Sequence, residues 1–238
     1  MPGDHHCAVS ALTHVGLVRS SNEDMCAVPG WTSGPGRERW SGGLSADGGW
    51  ALVADGMGGH AAGEVASALI VEALAPLMSG LEDRRDVTAA LDEANARLHA
   101  ATAADPVLAG MGTTIAGLVL RGEEALAFNI GDSRIYRWTP AGLAQISIDH
   151  ALGGGVLTQC LGGTARPMPL DPFVGRCRWE PQGRFLLCSD GLTNMVPDTA
   201  IARLLASRSE GAADALVEAA LDAGGVDNAT VVVIDPPH

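Results

Sequence analysis

Thr113–Trp138, TTIAGLVLRGEEALAFNIGDSRIYRW, holds three short apolar runs separated by the turn dipeptides Arg121-Gly122 and Gly131-Asp132. Thr113–Arg121, Ala125–Ile130 and Arg134–Trp138 have strand length and strand composition. A fourth run, Leu143–Ile148, follows the turn Pro140-Ala141-Gly142. Four strands in succession with no helix between them predict a meander, which sets the chain apart from the strand-helix alternation of a parallel α/β fold.

Upstream of this block the period changes. Ala66, Leu69, Ile70, Ala73, Leu74 and Leu77 fall on one face of a helix over 64–78, and Val87, Ala90, Leu91, Ala94, Leu98 and Ala101 mark a second helix. Downstream, Phe173–Trp179 and Arg184–Cys188 read as a hairpin around Pro181-Gln182-Gly183. Two helices follow, over 199–206 and 212–223, and then a last strand, Ala229–Ile234. At the start of the chain, Ala8–Gly16 and Met25–Val28 flank the polar turn Arg19–Asp24 and read as another hairpin. Pro29–Gly49, rich in Gly, Ser and Pro, reads as a long surface loop whose Trp31 and Trp40 offer a contact surface. Strand and helix runs are segregated, so the expected class is α+β, with antiparallel sheets covered by helices.

The 238 residues fit one large domain, 47% hydrophobic yet only 4% aromatic, with a core of Ala, Val and Leu. A net charge of −13 argues against nucleic acid or an anionic membrane as partner. It leaves phosphate ligands open, because bound cations reverse a local potential. Five cysteines without a C-x-x-C pair read as reduced thiols. The stretch Met1–His6 has neither a basic start nor an apolar core and no apolar run is long enough to span a bilayer, so a soluble, cytoplasmic protein is expected.

The chemistry gathers at Asp55-Gly56-Met57-Gly58-Gly59-His60, which follows the strand-like run Trp50–Ala54 and precedes the first helix. A carboxylate where a strand breaks into a helix, beside glycines that leave the backbone uncovered, suits a metal or phosphate corner. Asp132, Asp190 and Asp227 share the setting: each lies at the end of an expected strand, and Asp132 and Asp190 also neighbour glycine. Each aspartate taken singly is equally an ordinary turn residue capping its own backbone. Taken together, converging carboxylates must bind cations or be protonated. Oxygen ligands without a Cys or His set suit Mg²⁺ or Mn²⁺ over zinc, and two such ions about 4 Å apart are the arrangement for phosphate-ester hydrolysis. Arg19 is then a candidate phosphate clamp.

Arg19–Asp24, Asp55–His60, Gly112-Thr113-Thr114, Asn129–Arg134, Asp149-His150, Leu157-Thr158-Gln159, Ser189-Asp190-Gly191 and Asp227–Thr230 together resemble the ordered motifs of the metal-dependent protein phosphatases (PPM family, type 2C), in their compact bacterial branch. The resemblance runs from about Leu12 to Ile234 within a single domain, 1–238. It implies an antiparallel β-sandwich flanked on both sides by helix pairs. It also implies hydrolysis of phosphoserine and phosphothreonine in proteins by a metal-activated bridging water, with two core Mn²⁺ or Mg²⁺ ions and a weaker third. By the same resemblance Asp55 bridges both core ions, the Gly56 carbonyl binds one, Asp190 and Asp227 hold the other, and Asp132 with Asp190 matches the third site. Glu23 and Asp24 match an acidic pair supporting the metals, Arg19 matches the phosphate-binding arginine, and Asn228 is placed to orient a water. The implied partners are phosphorylated Ser/Thr proteins, including a serine/threonine kinase or its substrates, with neither nucleic acid nor membrane.

Two departures stand out. Where many members carry a histidine as leaving-group acid, this chain has Met57, which has no proton to give; His60 and His150 are nearby in sequence terms and read as structural. Only Ala151–Gly155 separates His150 from Val156, where relatives insert a flap, so a more open cleft and a less occupied third site are expected. The competing reading is a catalytically weak or inactive binding module on the same fold.

Overall fold

The computed structural model describes residues 6–58, 61–152, 155–180, 182–207 and 211–237. In the first half of the chain lie β1 (His6–His14), β2 (Asp24–Val28), β3 (Trp31–Thr32), β4 (Glu38–Ser45), β5 (Asp47–Met57), α1 (Ala61–Leu74) and α2 (Arg84–Ala104). The strand-rich middle comprises β6 (Gly112–Thr113), β7 (Ile115–Arg121), β8 (Glu124–Ile130), β9 (Arg134–Thr139), β10 (Gly142–Gln145), β11 (Ala151–Leu152), β12 (Val156–Leu157), β13 (Leu161–Gly162), β14 (Phe173–Arg178) and β15 (Arg184–Cys188). The chain closes with α3 (Asp190–Thr193), α4 (Asp198–Ala206), α5 (Ala212–Asp222) and β16 (Ala229–Pro237).

Two antiparallel sheets stack face to face. One runs β10-β9-β15-β16-β1-β4; the other runs β13-β6-β5-β7-β8-β14, with β2 on β5 and β3 on β2. Period-two alternation assigns each strand's residues to one side or the other. Val9, Ala11, Cys26, Val53, Leu118, Phe185, Leu187 and Val232 meet between the sheets. Leu52, Ala54, Val119 and Phe128 turn outward onto α1 and α2, while Leu186, Cys188, Val231 and Val233 turn outward onto α4 and α5. The result is the expected helix-sheet-sheet-helix layering.

Local pairing departs from the sequence reading in four places, for one reason. Turn residues mark where a chain reverses but not which sheet it enters. Residues 8–16 and 25–28 do not form a hairpin: β1 pairs with β4 and β16, and β2 with β3 and β5. The meander is two hairpins, β7/β8 in one sheet and β9/β10 in the other. Likewise β14 joins β8 and β15 joins β9 and β16, so 173–188 crosses between sheets instead of folding on itself. The supposed loop 29–49 is mostly strand, because β4 pairs along β1 from His6↔Ser45 to Thr13↔Glu38. Its tryptophans are half-buried against the inter-sheet core and stack on each other, ring centroids 6.1 Å apart. The five cysteines are unpaired, and Cys7, Cys26 and Cys188 serve as small core hydrophobes. Among the described residues no helix is long and apolar enough to cross a membrane.

Candidate active site

At one end of the sandwich the inter-sheet rows turn from apolar to polar. Along β2, Val28 and Cys26 lead to Asp24; along β5, Ala51 and Val53 lead to Asp55; along β16, Ile234 and Val232 lead to Thr230. Asp24 and Asp55 are direct partners across the β2/β5 pair, which puts two carboxylates side by side. Like charges facing each other across a ladder destabilise it, so this end of the sheet is shaped for a ligand at the expense of stability.

Asp24 is buried behind the cleft. Ser189 Oγ donates to its Oδ2 at 2.7 Å, Ser189 Oγ in turn accepts from Thr230 N at 3.0 Å, and Thr230 Oγ1 meets Thr13 Oγ1 at 2.6 Å. Burial pushes the Asp24 carboxyl up to about 7, against the hydrogen bonds from Ser189 and Thr230 and with the added repulsion of Asp190 and Asp227. Asp24 thus ties the two sheets together through the residue that precedes Asp190.

An open cleft of about 1200 Å³ lies beyond it, lined by Arg19, Glu23, Asp55, Gly56, Met57, Asp132, Asp190, Asp227 and Asn228 among others. The structure therefore gathers every sequence-proposed site residue at one place, with Asp24 just behind the surface. Burial holds Asp55 well above the ordinary carboxylate range, reinforced by Asp24, Asp190, Asp132 and Asp227. Asp190 is raised by burial and then by Asp227, and its carboxyl is within hydrogen-bonding reach of Asp55. Asp132 is pushed up to about 6 by burial and by Asp190. Arg19 donates to Asp227 Oδ2 at 2.5 Å, the contact that most strongly holds its guanidinium charged.

Among the described residues no three Asp, Glu, His or Cys side chains stand in a closed ligand cage. The donor chemistry still fits hard divalent cations: oxygen atoms only, and four carboxylates raised by burial and by one another, a strain that bound positive charge relieves.

Close backbone approach explains the glycines. A Cβ on Gly56 would overlap the Gly63 carbonyl at the start of α1, and one on Gly191 would overlap the Asn228 carbonyl. The second contact presses Asp190-Gly191 against Asp227-Asn228, bringing two aspartates from separate elements together.

Asn228 also holds backbone in place. Its Nδ2 donates to the Val15 and Ser21 carbonyls at 2.8 and 2.9 Å, and its Oδ1 accepts from Glu23 N at 2.8 Å. Both amide hydrogens and one lone pair of Oδ1 go to backbone, so Asn228 staples the loop bearing Arg19 and Glu23. Replacing it by Ala strands one donor and two acceptors at a buried position. Asn228→Ala should lower kcat/KM by about 10² through misplaced loop groups, with faster amide exchange over residues 15–23; unchanged exchange there would remove the staple.

His150 does not line the cleft. Its Nδ1 accepts from Gly131 N at 3.2 Å, and burial lowers its pKa, as suits a structural residue. His60 lies outside the described residues. Met57 lines the cleft beside Gly112 and Gly163.

The expected bare side of the cleft is not bare. Residues from Gly155 to Asp171, including Thr158, Gln159 and Met168, form a wall there. Gln159 clamps Asp171 through both main-chain groups, accepting from its N at 2.8 Å and donating to its O at 3.2 Å. Asn95 of α2 accepts from Gly162 N at 2.8 Å. Sequence reading missed this wall, because 155–171 has neither strand nor helix period; the Gln159 motif was its one trace.

A two-sheet sandwich whose strand ends present acidic oxygens beside an exposed guanidinium has the donor chemistry that suits divalent cations and an anionic ligand. The model of the protein phosphatase 2C family matches residues 39–223, and the chain belongs to that family. It is 34% identical to the serine/threonine protein phosphatase PstP of Mycobacterium tuberculosis over 95% of this chain and 44% of that protein, so it spans under half the length of that relative. It is 30% identical to protein phosphatase PhpP of Streptococcus pneumoniae, covering 95% of this chain and 96% of that one. Among solved structures, M. tuberculosis PstP aligns with a TM-score of 0.81 at 32% identity, over 98% of this chain and all of that one. A PstP catalytic-domain structure in complex with two manganese ions aligns with a TM-score of 0.80, also at 32% identity, over 98% of this chain and all of that one.

Proposed function

We propose that this domain hydrolyses phosphoserine and phosphothreonine in proteins with two Mn²⁺ or Mg²⁺ ions. The observation that carries the proposal is the meeting of Asp55, Asp132, Asp190 and Asp227 with Arg19 in one cleft, where burial and mutual repulsion raise three of the aspartates. Bound there, the cations supply charge neutralisation and an activated water. Asp55 and the Gly56 carbonyl would hold one ion, Asp55, Asp190 and Asp227 the other, and Asp132 with Asp190 a weaker third. Arg19, more than half exposed and already beside Asp227, turns its fork of donors to the phosphoryl oxygens. Glu23 would support the ions from the loop that Asn228 holds. The retained carboxylates weigh against an inactive binding module, since a set of adjacent acids is costly without its cations.

The partners that follow are phosphorylated proteins, including a serine/threonine kinase or its substrates, in a bacterial cytoplasm. The test is hydrolysis of a phosphothreonine peptide. Turnover should require Mn²⁺ or Mg²⁺, stop with a chelator, and fall about 10²-fold in Asp190→Ala, the scale of losing one ion's several kcal/mol. No turnover from folded, metal-loaded protein would favour the binding module.

A further inference from the structure

Six acids and one arginine are found among the described residues lining the cleft. On the reading above, Asp55, Asp132, Asp190 and Asp227 have cations to hold, and Glu23 supports them. Asp171 is the sixth, and it stands outside that set. It belongs to the 155–171 wall, and its side chain is 85% exposed, against 34% for Asp227. A carboxylate so exposed meets a ligand without first being freed from the protein.

A chain of hydrogen bonds ties Asp171 to the loop that carries Asp132. His150 N donates to the Gly131 carbonyl at 2.9 Å, and His150 Nδ1 accepts from Gly131 N at 3.2 Å. Thr158 N donates to the His150 carbonyl at 2.8 Å, and the next residue, Gln159, holds both main-chain groups of Asp171. The electrostatics agree: Asp171 acts on His150 more strongly than Asp149 does, although Asp149 is its neighbour in sequence. From α2, Arg84 donates to Asp171 Oδ1 at 2.7 Å. Arg84 is itself 57% exposed, and an exposed pair of this kind is weak. A carboxylate offers about four acceptor sites, so there is room for a second cation beside the first.

We infer that Asp171 is a specificity-determining residue, whose carboxylate receives the side chain of an arginine or lysine flanking the phosphorylated residue of the substrate polypeptide. This rests on the phosphatase reading above and deepens it. The class of side chain follows from charge. Arg19 is the one cation among the described residues lining the cleft, and on that reading it is taken by the phosphate. Asp171 adds negative charge to the same cleft outside the proposed ion ligands, so it attracts a basic flanking residue and repels an acidic one. Its clamped main chain leaves little to be ordered when the pair forms.

The test uses Mn²⁺-loaded protein and three phosphothreonine peptides, identical except that the three residues on each side of the phosphothreonine are Arg, Ser or Glu. p-Nitrophenyl phosphate is measured beside them. Ionic strength near 0.15 M, where the screening length is about 8 Å, limits attraction by the net charge of −13 at a distance. Wild type should favour the Arg peptide over the Ser peptide about five-fold in kcat/KM, through KM, the scale of an exposed ion pair. In Asp171→Asn the preference should fall to within two-fold, and in Asp171→Arg the Glu peptide should come first. Glu218→Gln, at an exposed acid on α5, should keep the wild-type preference. Four results would each overturn the assignment: equal rates for the Arg and Ser peptides; a wild-type preference for Glu, which would point to Arg84; a preference that survives Asp171→Asn; or its loss in Glu218→Gln, which would trace it to net charge. Hydrolysis of p-nitrophenyl phosphate by wild type separates the two readings: present without peptide preference, it removes the role of Asp171 alone; absent with every substrate, it removes the phosphatase reading and that role with it.

Discussion

Asp55→Asn should abolish turnover and, in chelator-treated protein, raise the melting temperature. The first effect follows from position. On the proposed ligation Asp55 would touch both core ions, so its loss would forfeit the several kcal/mol that each supplies; at 1.36 kcal/mol per decade the fall is on the order of 10⁴ or more. The second follows from the sign of the shift. Burial and four neighbouring acids raise Asp55 in the folded state well above its unfolded value. Below the ordinary carboxylate pKa the group is neutral in both states and imposes no penalty. As pH rises from there, the unfolded chain ionises first, and the folded state falls behind by a margin that grows until pH reaches the raised value. The metal-free protein is therefore weakest at high pH, where Asn removes one of the facing charges. The gain should be clear at pH 8 and shrink as pH falls, and Mn²⁺ should stabilise wild type more than the variant. A metal-free variant that melts below wild type at pH 8 would show that Asp55 is held by bonds its charge makes, not strained by its neighbours.

How much of this was legible beforehand depends on range. The strand runs, the helix faces and the Asp-Gly corners are local features, and β7, β8, α1 and α2 fall within a few residues of where periodicity placed them. Pairing was not legible, because a strand such as β2 carries inner-face and outer-face apolar residues in equal measure: Cys26 and Val28 face the other sheet, Met25 and Ala27 the helices. Such a strand states that it is buried on both faces and says nothing of its partner. Within the site, the acids were legible by their shared strand-end setting. The roles of Asn228 and Gln159 were not, since both act by bonding main-chain atoms remote in sequence, Val15 and Asp171. A resemblance names such residues without saying what they hold.

Gly191→Ala should dismantle the site by backbone geometry alone. An added Cβ would overlap the Asn228 carbonyl oxygen and stand 2.8 Å from its carbonyl carbon. The atoms met are main chain, so no rotamer change relieves them. The strand end at Cys188 and the start of β16 are paired through Leu187↔Val232 and Cys188↔Val231, and Ser189 N donates to the Thr230 carbonyl at 3.0 Å. Relief therefore means parting Asp190 from Asp227, or straining that ladder. Overpacking of this kind costs about 3 kcal/mol, a fall in Tm on the order of 10 °C for a domain of this size. Below that temperature the variant should remain folded yet bind Mn²⁺ poorly and turn over little substrate. Gly80, where an added Cβ meets nothing within 4 Å, supplies the control: Gly80→Ala should leave Tm within about 2 °C. If Gly191→Ala kept wild-type melting and manganese affinity, the close approach of the two aspartate segments would not be what assembles the site.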